Sequence, residues 1–200
     1  MKHGPNYSYT EDQTLSSGAA QGSGAGGAAI SNLTDFPTDT FTVEMQYSGV
    51  GMSTPGPDDP ALTTTLFSYG TASSPSELVV YAVSDNEVYD LSTPLDLTDT
   101  IIETGYVTVE VNGNSYTTSI PSSSVIDGGQ HSVAVTFDAA AQELVIFFDG
   151  TPAETIALID ATPIETGGTF SLGQGAGPQG GFTGEVFDAR LWDDIRTNAE

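Results

Sequence analysis

Two dipeptides do most to limit what this chain can become. Asn112-Gly113 separates Tyr106-Val-Thr-Val-Glu-Val111 from Ser115-Tyr-Thr-Thr-Ser-Ile120, and Asp149-Gly150 separates Glu143-Leu-Val-Ile-Phe-Phe148 from Ala153-Glu-Thr-Ile-Ala-Leu158. Asn-Gly and Asp-Gly supply the two consecutive positive-φ residues of a type I′ turn, whose twist matches that of paired strands. Each site therefore predicts a tight antiparallel hairpin, and strands joined this way do not form a parallel sheet.

The same rhythm runs through most of the chain. Phe41-Thr-Val-Glu-Met-Gln-Tyr47 alternates, with Phe41, Val43, Met45 and Tyr47 on one face. Thr64–Tyr69, Glu77–Val83, Glu87–Leu91 and His131–Phe137 are further strands, and Gly168–Leu172 and a segment ending at Trp192 complete the set. The prolines between Val50 and Thr63 exclude a central strand and mark a long loop. Strand Glu143–Phe148 is apolar on both faces, the pattern of a central strand covered on both sides. Helix is expected only as a short piece near Asp194–Glu200 or a turn between Asp96 and Ile101. The fold class is all-β, an antiparallel two-sheet jelly-roll sandwich.

Residues 1–27 are polar and end in a Gly/Ser-rich run, too poor in apolar surface to offset their ordering entropy. They are read as a flexible segment, although Tyr7, Tyr9 and Leu15 could dock on a sheet. The domain proper is read as 28–200, one module of a longer chain. Its formal net charge is −24, with three Lys and Arg in all. Neutralising phosphates takes clustered cations, so nucleic acid is excluded as a partner. Spread over roughly 9,000 Å², those charges are largely screened by salt within about 8 Å; the acidity is read as a solubility device suited to a salt-rich, extracellular setting, with a cation-binding surface as the alternative. There is no cysteine, hence no disulfide or thiolate-metal chemistry. No run of 18 apolar residues spans a membrane.

The segment Gly168–Asp193, a strand, a glycine-rich turn and a strand closing on Trp192, resembles the C-terminal half of laminin-G-like and pentraxin-like domains of the concanavalin A-like superfamily. Phe41-Thr-Val-Glu44, Thr65-Leu-Phe-Ser-Tyr-Gly70, His131–Phe137, Phe148-Asp-Gly-Thr-Pro152 and Leu172-Gly-Gln174 fall in the same order and spacing as in the pentraxin domain. The resemblance covers about residues 28–200 and implies a lectin-type jelly roll that binds rather than catalyses. It also implies a calcium site, whose two halves would fall at Pro75-Ser76 and Gly175-Ala176-Gly177. Those residues lack the carboxylates calcium requires, so the family's metal site is expected to be missing. Glu44 and Ala134 stand where pentraxins have their cysteine pair.

Two loops carry other oxygen ligands. Asp58 and Asp59, in the proline-rich loop, and Asp85 and Asn86, in a tight turn, could hold calcium at a rim site; equally, Asp and Asn favour turns for their own hydrogen bonding. No other cofactor is indicated. Glycosidases of the superfamily place alternating acids on one strand, and no strand here does. Glu185 and Asp188, three apart, would face opposite sides, and Glu44 and Glu110 are isolated. His131 is read as structural, Tyr69 and Trp192 as packing residues, and Arg190 as paired with a carboxylate. No catalytic residue is assigned.

The reading that results is a non-enzymatic, lectin-like module of a secreted or surface protein of bacterial type, binding a glycan or other surface ligand through rim loops or a concave sheet. Two alternatives stay open: a structural, adhesin or self-assembling module, whether a homo-oligomer or part of a multidomain chain, and a glycoside hydrolase relative.

Overall fold

The computed structural model describes residues 7–9, 13–15, 28–49, 62–84, 105–173 and 182–196. Thirteen strands lie among them, in two antiparallel sheets. They are β1 (Tyr7–Tyr9), β2 (Gln13–Leu15), β3 (Ala28–Leu33), β4 (Thr40–Gly49), β5 (Leu62–Gly70), β6 (Leu78–Ser84), β7 (Tyr106–Val111), β8 (Asn114–Pro121), β9 (Gln130–Asp138), β10 (Glu143–Phe148), β11 (Thr151–Ala157), β12 (Gly168–Leu172) and β13 (Gly184–Trp192). One sheet runs β1-β13-β4-β9-β10-β11, with β2 also on β13; the other runs β3-β12-β5-β6-β7-β8. The chain crosses between sheets repeatedly, giving the expected two-sheet sandwich.

Both dipeptides turn as their chemistry dictates: φ is 49° and 73° at Asn112-Gly113, and 48° and 72° at Asp149-Gly150. Alternation then decides what is buried. Phe41, Val43, Met45 and Tyr47 are fully buried and lie across from Phe137, Val135, Val133 and His131. The opposing sheet contributes Phe67, Tyr69, Leu78, Val80, Val109 and Val111. The interior is tied across the two layers by an aromatic relay. Tyr69 stacks on Phe36 at 3.7 Å, Phe36 meets Phe41 edge-on at 5.3 Å, and Phe41 stacks on Phe137 at 5.1 Å. Each such side chain contributes about 1.5–3 kcal/mol by leaving water, so this relay is a main source of cohesion between the sheets.

Several expectations are corrected. β10 is not central: it lies one place in from the edge strand β11, and Val145 and Phe147 are only half-buried. Of the stretch expected to be helical, Asp194–Glu200, residues 194–196 are not helical and 197–200 lie outside the described residues; the Thr42 hydroxyl of β4 donates to Asp194 O at 2.8 Å and accepts from Arg196 N at 2.9 Å. The helical residues among those described are the single turn Ser122–Val125. Within 1–27, two stretches pair with β13 as strands, Tyr7–Tyr9 along Ala189–Leu191 and Gln13–Leu15 along Gly184–Val186. Glu87–Leu91 and the turn at Asp96–Ile101 lie outside the described residues.

A bulge in β13 has the largest consequence for the site. Val186 pairs with Tyr47 and Asp188 with Gln46, leaving Phe187 as the extra residue. A bulge sets two residues against one and re-aims their side chains.

Candidate binding depression

Where the bulge, the start of β9 and the β10–β11 turn meet, the solvent face of the seven-stranded sheet dips. The depression holds about 350 Å³ and is lined by Gln46, Gln130, His131, Ser132, Asp149 and Phe187. Each lining group has a local cause. Gln46 alternates outward between buried Met45 and Tyr47, and Ser132 faces the same way directly across from it. Phe187 is presented by the bulge, and Asp149 by the type I′ turn.

His131 braces this corner. Its Nδ1 bonds Asp149 Oδ2 at 3.0 Å and its Nε2 bonds Asp127 Oδ1 at 2.9 Å. A neutral imidazole has one N–H, and ionised carboxylates only accept, so an imidazolium alone satisfies both contacts. Burial of the ring opposes protonation, but the hydrogen bonds and charges of Asp149 and Asp127 outweigh it and raise the pKa above 6.5. Asp127 is held below its ordinary range by His131 first and then by the Gly129 N–H, which donates to Asp127 Oδ1 at 2.6 Å. Asp149 Oδ1 accepts from Ser132 N at 2.9 Å, locking the turn to β9. Behind the corner, the Tyr47 hydroxyl donates to Val125 O at 2.9 Å. Burial, reinforced by the charges of Asp149 and Asp127, pushes its pKa above the usual tyrosine range. Phe148 stacks on the imidazole at 5.0 Å. The structural role expected of His131 is thus its observed one: it joins two turns and shapes the rim of a depression.

The residues singled out from sequence fare differently. Asp58, Asp59, Asp85, Asn86, Gly175, Ala176 and Gly177 lie outside the described residues. Pro75 and Ser76 are described, and both are tied into the fold. The Pro75 carbonyl packs so closely on Gly70 that any side chain there would collide with it, and the Ser76 carbonyl accepts from Gly113 N. The adjoining carboxylate, Glu77, is buried and committed, taking hydrogen bonds from the Thr71 hydroxyl at 2.9 Å and Glu165 N at 2.6 Å. Among the described residues no three His, Cys, Asp or Glu converge as a metal site would require. Glu44 and Ala134 are direct cross-strand partners, as the resemblance implies for a replaced cysteine pair.

Tyr69 is a core residue, its hydroxyl donating to Glu165 O at 2.7 Å and accepting from Gly168 N at 2.9 Å. Trp192 is not in the core. It lies across from Thr42 on the outer face, with the Arg196 guanidinium 4.0 Å over its ring. The parity argument about Glu185 and Asp188 also fails. Their partners, Ser48 and Gln46, share a face, so the bulge brings the two acids to the same side. Asp188 is nevertheless 9% exposed and ion-paired through Oδ2 with Arg190, the pairing expected for Arg190.

A family model described as the concanavalin A-like lectin/glucanases superfamily matches residues 57–200. Among solved structures, the chain is similar to the CBM40 domain of the Ruminococcus gnavus IT-sialidase bound to α2,3-sialyllactose, at 15% identity and a TM-score of 0.58, covering 96% of this chain and 94% of that one. Domain 4 of the extracellular arabinanase AbnA from Geobacillus stearothermophilus, in complex with arabinotriose, gives 14% identity and 0.55, covering 98% and 86%. A heptameric SAP-like pentraxin from Limulus polyphemus gives 16% and 0.56, covering 85% and 71%. No curated protein sequence matches the chain. At these identities the structural likeness speaks for the fold. No helix among the described residues is long and apolar enough to cross a membrane.

Proposed function

Since the chain belongs to the concanavalin A-like lectin/glucanases superfamily, we propose that it is a non-catalytic carbohydrate-binding module of an extracellular or surface protein, with the β13-bulge depression as its glycan site. The observation that carries this reading is the lining. An aromatic ring stands beside two amides, a hydroxyl and a carboxylate. Saccharides present apolar C–H faces edged by hydroxyls, and such a surface is matched by a ring flanked by convergent polar groups. Two of the neighbouring structures contain bound oligosaccharides, which adds weight from the fold. The corner is also pre-organised, because His131 fixes the Asp149 turn before any ligand arrives, and pre-organisation lowers the entropic cost of binding.

The test is a glycan array read with calcium and with chelator, followed by calorimetry of hits on Gln46→Ala and Phe187→Ala. Calcium-independent hits weakened about tenfold or more by either substitution are expected; a loss of one hydrogen bond to a ligand corresponds to roughly that factor. Array silence overturns the reading. A catalytic alternative has one observation in its favour, the shared face of Glu185 and Asp188. Hydrolysis of an oligosaccharide by the wild type, abolished in Asp188→Asn, is the result that would establish it in place of simple binding.

A further inference from the structure

We infer that the depression selects uncharged, hydroxyl-rich saccharides and discriminates against acidic ones, whether sialylated, uronic or sulfated. This rests on the glycan-binding reading and adds the chemical class of ligand. The first ground is the state of Asp149. Each of its oxygens already accepts one hydrogen bond, Oδ1 from Ser132 N and Oδ2 from His131 Nδ1. A carboxylate has about four lone-pair sites, so two remain on a side chain that is 49% exposed in the rim. They accept protons, as a pair of sugar hydroxyls offers, and repel another anion.

The second ground is the whereabouts of positive charge. Among the described residues His131 is the cation that lines the site, and both its ring nitrogens are committed to Asp149 and Asp127. With the imidazolium counted, that triad still carries a net charge of about −1. Arg190 is paired with Asp188, and Arg196 with Asp194 while lying over Trp192. No described Lys or Arg lines the depression, and the chain as a whole carries −24. Recognition of a carboxylate or sulfate relies on guanidinium or ammonium donors aimed at it, and here the uncommitted donors are neutral, the amides of Gln46 and Gln130 and the Ser132 hydroxyl. The ligand class inferred here therefore differs from the acidic sugar held by the sialyllactose-bound neighbour, despite the common fold.

The experiment is an array of neutral oligosaccharides, each printed beside its sialylated or sulfated counterpart, with lactose against α2,3-sialyllactose and arabinotriose included. Hits are followed by calorimetry at low and at 1 M salt. Neutral members should bind at least tenfold tighter than their acidic counterparts at low salt. The gap should narrow at 1 M, where the screening length is about 3 Å. Asp149→Asn keeps the turn, since Asn-Gly is itself a type I′ pair, and should shrink the gap at least threefold. Gln46→Ala should weaken all members. Acidic glycans bound as tightly as neutral ones, with sensitivity to Gln46→Ala, overturn the selectivity and leave the binding reading standing. Neutral binding indifferent to both Gln46→Ala and Phe187→Ala overturns the site. No binding to any member removes the glycan reading and this inference with it.

Discussion

The β7–β8 and β10–β11 hairpins use one backbone device for two ends. Both turn on an Asx-Gly pair with nearly identical positive φ values. At Asn112-Gly113 the turn is anchored by structural contacts: the Asn112 amide donates to Thr162 O at 2.8 Å, and the backbone N–H groups donate to Glu77 O and Ser76 O. At Asp149-Gly150 the side chain instead accepts from Ser132 N and His131, and also lines the depression. The difference is one oxygen for one amide nitrogen, set beside a histidine. Turn geometry is local and belongs to the dipeptide; what the turn does depends on which strand happens to lie alongside.

Truncating the two Asx side chains should separate these roles most sharply. Asp149→Ala removes the acceptors of two hydrogen bonds, from Ser132 N and His131 Nδ1, and leaves alanine in the left-handed region, a loss of about 3 kcal/mol from the two bonds plus the conformational penalty. It should also abolish glycan binding. Asn112→Ala, which loses one hydrogen bond, to Thr162 O, should cost about 2 kcal/mol on the same reckoning and leave binding unchanged; urea unfolding and calorimetry on both variants read the pair. Binding lost equally in both would erase the distinction.

The glycines should behave alike. A Cβ at Gly113 or Gly150 meets no atom within 4 Å, so Gly113→Ala and Gly150→Ala should each cost only the left-handed penalty, about 1 kcal/mol. Markedly unequal midpoints in urea would show that the turns are not one device.

The smallest effect is in pH. His131 has its pKa raised from 6.5, so its contribution is complete below pH 6.5 and is lost as pH rises through the folded value. Asp127 has its pKa lowered from 3.8, so its contribution is complete above pH 3.8 and is lost as pH falls through the folded value. Both are fully present between pH 3.8 and 6.5. Wild type should lose a small part of its stability on the alkaline side of that window, since water screens ion pairs this exposed. His131→Gln should flatten the slope, and Asn112→Ala should retain it; thermal unfolding followed upward from pH 6.5 distinguishes them.

What could be read in advance divides along the same line. The hairpins, the buried stripe Phe41–Tyr47 and the two-sheet plan follow from local alternation and turn chemistry, and the structure has them. The depression does not, because it is assembled by three distant segments. Its key shows in the burial pattern and not in the residues, since Phe187, Ala189 and Leu191 alternate as an unbroken strand would. Val186, Ala189 and Leu191 cannot share a face in an unbroken strand, so their common burial requires a parity break between 186 and 189. Applying strict alternation there misplaced Trp192, separated Glu185 from Asp188 and left Phe187 unremarked. His131 stood out as structural, but nothing in the local sequence says that Asp127 and Asp149 would be the groups it joins.

The most direct measurement is a titration of isotope-labelled protein with a neutral oligosaccharide, followed amide by amide in two-dimensional NMR. Perturbations should gather at Gln46, Gln130, Ser132, Asp149 and Phe187 while Asn112 and Gly113 stay still. Shifts centred on the β7–β8 turn, or none at saturating sugar, would contradict the assignment of the bulge depression as the binding site.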